Sequence, residues 1–273
     1  MLAVTTTIAS HFHSKGFPMS ISRRSLLMLL ALMLLALVVA VPNLALADEA
    51  ALREIVEKAI AKTGEKPLLA NKGSTSTIKG TVYLNGAPVL VSGSFSSQNG
   101  TQQHISIMLT VDGQQIVFAS VLNGDKGWRK IVDNTVDMTA DQLTEAKEAT
   151  YSSWVATLVP LRDKAFKLAP FGDIEIAGRK AVGINVTREG HRSINLFFDK
   201  ESHLLVRTET IIRDEGTSND MTEESTMTDY KDFKGIQHPT KIVIKRNGMS
   251  HVDIEVEDYK LLEKFDDSFF AKP

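Results

Sequence analysis

Seven histidines and 33 acidic residues are the side chains here that could do acid–base or metal chemistry. His11 and His13 lie ahead of an export-type signal. His104, His191, His203, His238 and His251 are scattered singly, without H-E-x-x-H or a comparable ligand spacing, and read as surface or turn residues. No G-x-S-x-G elbow, phosphate loop or dinucleotide fingerprint is present. Cysteine is absent, which removes thiolate nucleophiles, thiolate metal sites and a lipid-modified N-terminal cysteine. The spacing pairs no two carboxylates as an acid/base couple, and Asp229, Asp232, Asp266 and Asp267 fall at strand ends and turns. The expectation is therefore a non-enzymatic protein with no catalytic residue, metal or cofactor, whose working groups are apolar.

The apolar residues are arranged for a sheet. Ile105, Ile107, Leu109 and Val111 alternate with mostly polar neighbours up to Asp112-Gly113, and Ile116, Phe118, Ser120 and Leu122 lead into Asn123-Gly124. Such two-residue turns are strong hairpin signals. Asn85-Gly86, Glu189-Gly190 and Asn247-Gly248 repeat the device between further alternating runs. Gly80 and Gly93 inside strand patterns point to sharp curvature or close backbone approach. Together these predict one large curved antiparallel sheet, and a sheet with one apolar face must cover it with helices, close on itself, or offer it to an apolar ligand.

Two helices interrupt the strands. Leu52, Ile55, Val56, Ala59 and Ile60 recur at helical spacing in 48–62, ended by Gly64 and Pro67. From Thr139 or Asp141 to about Leu158, Leu143, Ala146, Thr150, Trp154 and Leu158 mark one face of an inserted amphipathic helix, which would lie across the open sheet as a lid. Asp214 to Glu224 is polar and acidic and reads as an exposed, solvated hairpin loop.

Ser22, Arg23 and Arg24 introduce an apolar run from Leu26 to Val41, and Ala45-Leu46-Ala47 then supplies the small residues of a signal-peptidase site. Residues 1–47 are thus expected to be a signal peptide, with Met19 a plausible true start and a single domain over 48–273. Ser22 to Leu27 partly resembles a twin-arginine signal, although the very hydrophobic segment favours ordinary export. Removing three basic residues leaves 28 basic against 33 acidic ones in the mature chain, a net charge of −5 that disfavours nucleic-acid binding.

Phe198-Asp199-Lys200-Glu201 with Leu204-Leu205-Val206, Tyr230-Lys231-Asp232-Phe233-Lys234-Gly235 with Pro239, and Phe265-Asp266-Asp267-Ser268-Phe269-Phe270 before Pro273 together resemble bacterial outer-membrane lipoprotein-sorting proteins of the LolA/LolB-like carrier superfamily. The resemblance in strand order spans nearly all of the mature chain. It implies an α+β fold: an incomplete antiparallel β-barrel covered by an N-terminal helix and an inserted lid helix, around an apolar cavity that takes acyl chains. The longer central helix and the acidic loop depart from the proteobacterial carriers.

On that reading Ile107, Leu109, Phe118, Leu196 and Phe198 line the cavity, and Leu143, Trp154 and Leu158 face it from the lid. On the residues alone the favoured reading is that these side chains pack against one another, and the resemblance reverses it in favour of the cavity. Trp128 either sits at the rim or staples a strand end. The expected function is a soluble periplasmic carrier or chaperone of lipid or lipoprotein acyl chains, with an inner- or outer-membrane partner protein. The alternative is a lipid- or lipoprotein-sensing regulator of the same fold that signals to a membrane partner.

Overall fold

A computed structural model describes residues 48–273. The signal-peptide reading and the start at Met19 fall on residues 1–47, outside the described residues. After helix α1 (residues 48–63) and the short α2 (Glu65–Ala70), six strands follow in succession: β1 (Gly73–Leu84), β2 (Ala87–Gln98), β3 (Gln102–Val111), β4 (Gln114–Asn123), β5 (Lys126–Ile131) and β6 (Asn134–Asp137). Helix α3 (Ala140–Val155) and a 3-10 turn (Val159–Arg162) precede seven more: β7 (Lys167–Ile176), β8 (Arg179–Thr187), β9 (Ile194–Asp199), β10 (Leu205–Arg213), β11 (Asp220–Asp232), β12 (Gln237–Arg246) and β13 (Met249–Leu262).

All thirteen strands form one antiparallel sheet in the order β6-β5-β4-β3-β2-β1-β13-β12-β11-β10-β9-β8-β7. The chain meanders outward from β1 to one edge, crosses through α3 to the other edge, and meanders back until β13 pairs with β1. The sheet does not close, so the architecture is an α+β incomplete barrel. Asn85-Gly86, Asp112-Gly113 and Asn247-Gly248 turn their hairpins with both residues at positive φ, as two-residue loops with the right-handed strand twist require. Near the centre Gly80 faces Ile254 and Gly93 faces Ile107, and a Cβ on either would fall 2.2 or 2.1 Å from the neighbouring strand's carbonyl oxygen. Only glycine permits the close approach that folds the sheet there.

The packed core lies on one arm. Leu52, Val56, Ala59 and Ile60 of α1, with Tyr151 and Val155 of α3, bury against Ile184, Val186, Ile194, Leu196, Phe198 and Leu205 of β8 to β10. Arg53 holds α1 to the connection after α3 by donating to the carbonyls of Leu161 at 2.9 Å and Phe166 at 2.8 Å. A second cluster of Val121, Phe265 and Phe270, with Trp128 and Leu262 against it, sits on the opposite side of the sheet. There the C-terminal segment is fastened to the β6 edge by Lys272 on Asp137 at 2.9 Å and by Thr135 donating to the Pro273 carbonyl at 2.9 Å.

The three segments that carry the family resemblance are devices of chain geometry. The buried Asp199 carboxylate accepts from the Glu201 and Ser202 amides and the Ser202 hydroxyl, and so shapes the β9–β10 turn. Tyr230 donates its hydroxyl to the Leu205 carbonyl, and Asp232 accepts from the Gly235 amide at 3.0 Å. Phe265 donates its amide to Gln98 at 2.7 Å and starts the aromatic cluster below β13.

Candidate functional site

The inner face is the one on which α1 and α3 pack, and strand register carries it across the sheet. Met227, packed against the main core, pairs with Ile242, Ile242 with Ile254, Ile254 with Gly80, Ile78 with Gly93, Gly93 with Ile107, and Ile107 with Phe118. Alternation puts Val82, Phe95, Ile105, Leu109, Ile116, Ile244 and Val252 on the same side. These side chains are only half-buried, and none belongs to a buried core cluster. The helices pack their core on β8 to β10, and α3 also touches β2, β4 and β5; on the rest of the inner face Val89, Val91, Leu122 and Val256 are buried, while the half-buried side chains named above stay outside the main core cluster. Apolar side chains gathered along one face in this way make it the candidate binding surface.

The expected cavity residues divide into four groups. Ile107, Leu109 and Phe118 share the inner face, half-buried, as cross-strand neighbours. Leu158, Leu196 and Phe198 are at most 2% exposed and are filled core beneath α1, not an open lining. Trp128 is on the other side of the sheet: it pairs with Val121 and packs with Phe265 and Phe270, so it fastens the C-terminal segment and does not reach the inner face. On α3, Leu143 lies over Gly127 of β5, and Trp154 lies against Gly100 in the β2–β3 turn and packs on the main core.

Helix α3 starts where the sequence places it. Thr139 accepts from the Gln142 amide at 3.3 Å while Gln142 Oε1 accepts from the Thr139 amide at 3.1 Å, a complete capping box. Its polar side is fixed to both arms. Lys147 donates to Asp125 in the β4–β5 turn at 2.6 Å, and Arg192, in the β8–β9 loop, donates through Nη1 to Glu145 at 2.7 Å. Glu145 also accepts from the Arg213 amide at 3.0 Å; Arg192 holds its carboxyl below the usual range, against the upward push of burial. Glu148 accepts from the Arg192 amide and contacts His191 Nδ1, both at 3.0 Å, and the His191 ring stacks on Tyr151 with 3.6 Å between centroids.

The acidic loop is shorter than the sequence suggests and is not merely solvated. Residues 214–219 form the loop, and Asp220 to Glu224 already belong to β11. Glu215 reaches across the open side of the barrel to Arg129 of β5, seven strands away in sheet order, in a two-pronged ion pair with Nη1–Oε2 at 2.7 Å. Gln142 Nε2 donates to the same oxygen at 3.3 Å. Hydrogen bonding from Arg129 holds the Glu215 carboxyl below its ordinary range, with burial opposing and the charges of Arg129 and Arg246 helping. This constellation is invisible to pattern reading, because its members lie 13 and 73 or more residues apart and meet only when the arms face each other.

His238 is stacked on Tyr259 at 3.8 Å between centroids, and burial pushes its pKa down to about 4. Among the described residues no group of three His, Asp or Glu side chains is placed to hold a metal ion. No described helix is long and apolar enough to cross a membrane.

Solved structures supply the comparison. A LolA superfamily protein from Nitrosomonas europaea superposes over 81% of this chain and 97% of its own, with a TM-score of 0.52 at 13% identity. The fold is that of the LolA superfamily. A DUF1329 family protein from Desulfovibrio piger matches over 80% of this chain and 96% of its own, with a TM-score of 0.50 at 12% identity. A domain described as an outer membrane lipoprotein-sorting protein, from Vibrio parahaemolyticus, matches over 80% and 97%, with a TM-score of 0.49 at 10% identity. No family model matches the sequence, and no curated protein matches it. The LolA-like fold therefore rests on strand order and shape.

Proposed function

We propose that this protein is a periplasmic, non-enzymatic carrier that holds the acyl chains of a lipid or lipoprotein on its inner face and sorts them towards the outer membrane. The observation that carries the reading is the apolar stripe through Ile78, Ile107, Phe118 and Ile254, half-buried and outside every buried cluster. A chain of about 16 methylenes resists transfer to water by on the order of 12 kcal/mol, at roughly 0.8 kcal/mol each. A wide, dry, permissive face offsets that cost better than a few directed polar contacts. In this reading Ile107, Leu109 and Phe118 touch cargo, Leu143 and Trp154 hold α3 over one end, and Leu158, Leu196 and Phe198 act as the wall behind.

Native mass spectrometry of the protein purified from its own periplasm, followed by denaturing lipid extraction, tests the assignment. A bound lipid or acylated peptide that moves on to acceptor vesicles is the expected result. A lipid retained by the protein in the presence of acceptor vesicles identifies the sensing alternative. A clean apo mass together with no uptake of a fluorescent fatty acid refutes both.

A further inference from the structure

Arg129 stands on the inner face, paired with Ser120, one alternation away from Phe118 and Ile131. Its guanidinium is held edge-on by the Glu215 carboxylate, the geometry in which arginine recognises any carboxylate or phosphate. Arg129 Nε is buried without a partner, so the donor set is not saturated by Glu215. Gln142 adds a further donor, aimed by the capping box that holds its Oε1. Arg246, the cross-strand partner of Glu223, adds positive charge from the far arm, part of it neutralised by Glu223 at 2.9 Å.

The Glu215 side chain is itself 41% exposed. The loop that presents it has its own scaffold: Asp214 accepts from the Gly216 amide at 3.1 Å and the Thr217 amide at 2.7 Å, and Arg213 donates to the Ser218 carbonyl at 3.1 Å. Withdrawal of the carboxylate into water would leave these contacts in place.

We propose that Arg129 and Gln142 form a subsite for the anionic head group, carboxylate or phosphate, of an amphiphile whose chain lies on the inner face, and that Glu215 fills this subsite in the absence of ligand. The inference rests on the carrier reading and adds a charge preference to it. Binding exchanges one carboxylate on Arg129 for another, so head-group selection costs no unpaired buried charge. A neutral amphiphile of the same chain length gains nothing from displacing Glu215.

The test compares palmitate with hexadecanol, each below its aggregation limit, on the intact mature protein, by displacement of a fluorescent apolar probe. Glu215→Gln is expected to tighten palmitate by about tenfold and leave hexadecanol within about twofold, while Arg129→Gln weakens palmitate by about tenfold with hexadecanol again unchanged. Inorganic phosphate, titrated alone against palmitate and hexadecanol, separates the sources of the charge. Competition against palmitate only means that the subsite reads a free anion, and no competition means that it reads an anion only when the chain anchors it. Equal effects of Glu215→Gln on both amphiphiles make the loop a steric cover and overturn the proposal, as does palmitate binding indifferent to both substitutions. Binding of hexadecanol with no charge preference would leave the carrier reading standing while sinking the subsite; binding of neither amphiphile would sink the carrier reading.

Discussion

Phe118 and Phe198 occupy equivalent places in two alternating strands, and the structure gives them opposite roles, which can be measured. Phe198 is 1% exposed within the packed cluster under α1, so Phe198→Ala removes a fully buried ring and should cost about 3–5 kcal/mol in the urea midpoint. Phe118 is half-buried between Ile107 and Ile131 and has no place in a buried cluster. Phe118→Ala should therefore cost about 1–2 kcal/mol, since most but not all of the ring's transfer energy of about 1.5–3 kcal/mol is realised without ligand. The exposed remainder, about a third of the ring at most, is available to a bound acyl chain, which makes the expected loss of fatty-acid affinity about two- to threefold. Urea titration and probe displacement on the same two variants supply both numbers. Equal destabilisation by the two substitutions, or an affinity untouched by Phe118→Ala, would refute the division of the sheet into a filled arm and an open one.

Trp154→Ala should lower stability by about 3 kcal/mol, because the ring packs on Phe166 and Tyr151 and against the β2–β3 turn; thermal unfolding with an intact far-ultraviolet sheet signal checks this. Val132, a β-branched residue at φ 56 in the two-residue β5–β6 turn, is 54% exposed and has little packing to lose, so Val132→Gly should raise stability by about 1 kcal/mol in urea unfolding. Burial holds the His238 pKa down at about 4 against an ordinary 6.5, so between those values the unfolded chain binds the extra proton. Stability should accordingly be full above about pH 6.5 and fall as the pH drops towards 4; His251, which burial also pushes down to about 4, shares that limb, so His238→Gln should make it shallower in a urea-midpoint profile without removing it.

Much of the sheet is legible in the residues because two-residue turns with a glycine second member and period-two alternation report local geometry directly. The hairpins at Asn85-Gly86, Asp112-Gly113 and Asn247-Gly248 form where the sequence marks them. The β7–β8 turn at Ala177-Gly178 escapes, since alanine at φ 50 carries no turn signal. Helix α2 is hidden by Pro67, which reads as a terminator yet sits in the first turn, where its missing N–H had no partner in any case.

The site is harder to read for a different reason. Alternation shows that Phe118 and Phe198 each face one side of the sheet, but which arm the helices cover is a tertiary choice with no local signature. Trp128 shows how sharply parity matters. The β4–β5 turn aligns Val121 with Trp128, and the opposite parity would have sent the indole to the inner face.

The pairing of β1 with β13 sets a condition on how the molecule comes to be. Gly73 meets Leu262 across a ladder whose halves are separated by nearly the whole domain, and every other strand hangs outward from that central seam. Loop closure of this length is paid before any contact rewards it, so assembly should be slow and governed by the last strand to arrive. While β13 is still being synthesised, β1 presents an unpaired edge and β1 to β4 present an apolar face with no partner. The surface proposed to shelter a greasy cargo is, in the nascent chain, the surface that most needs shelter.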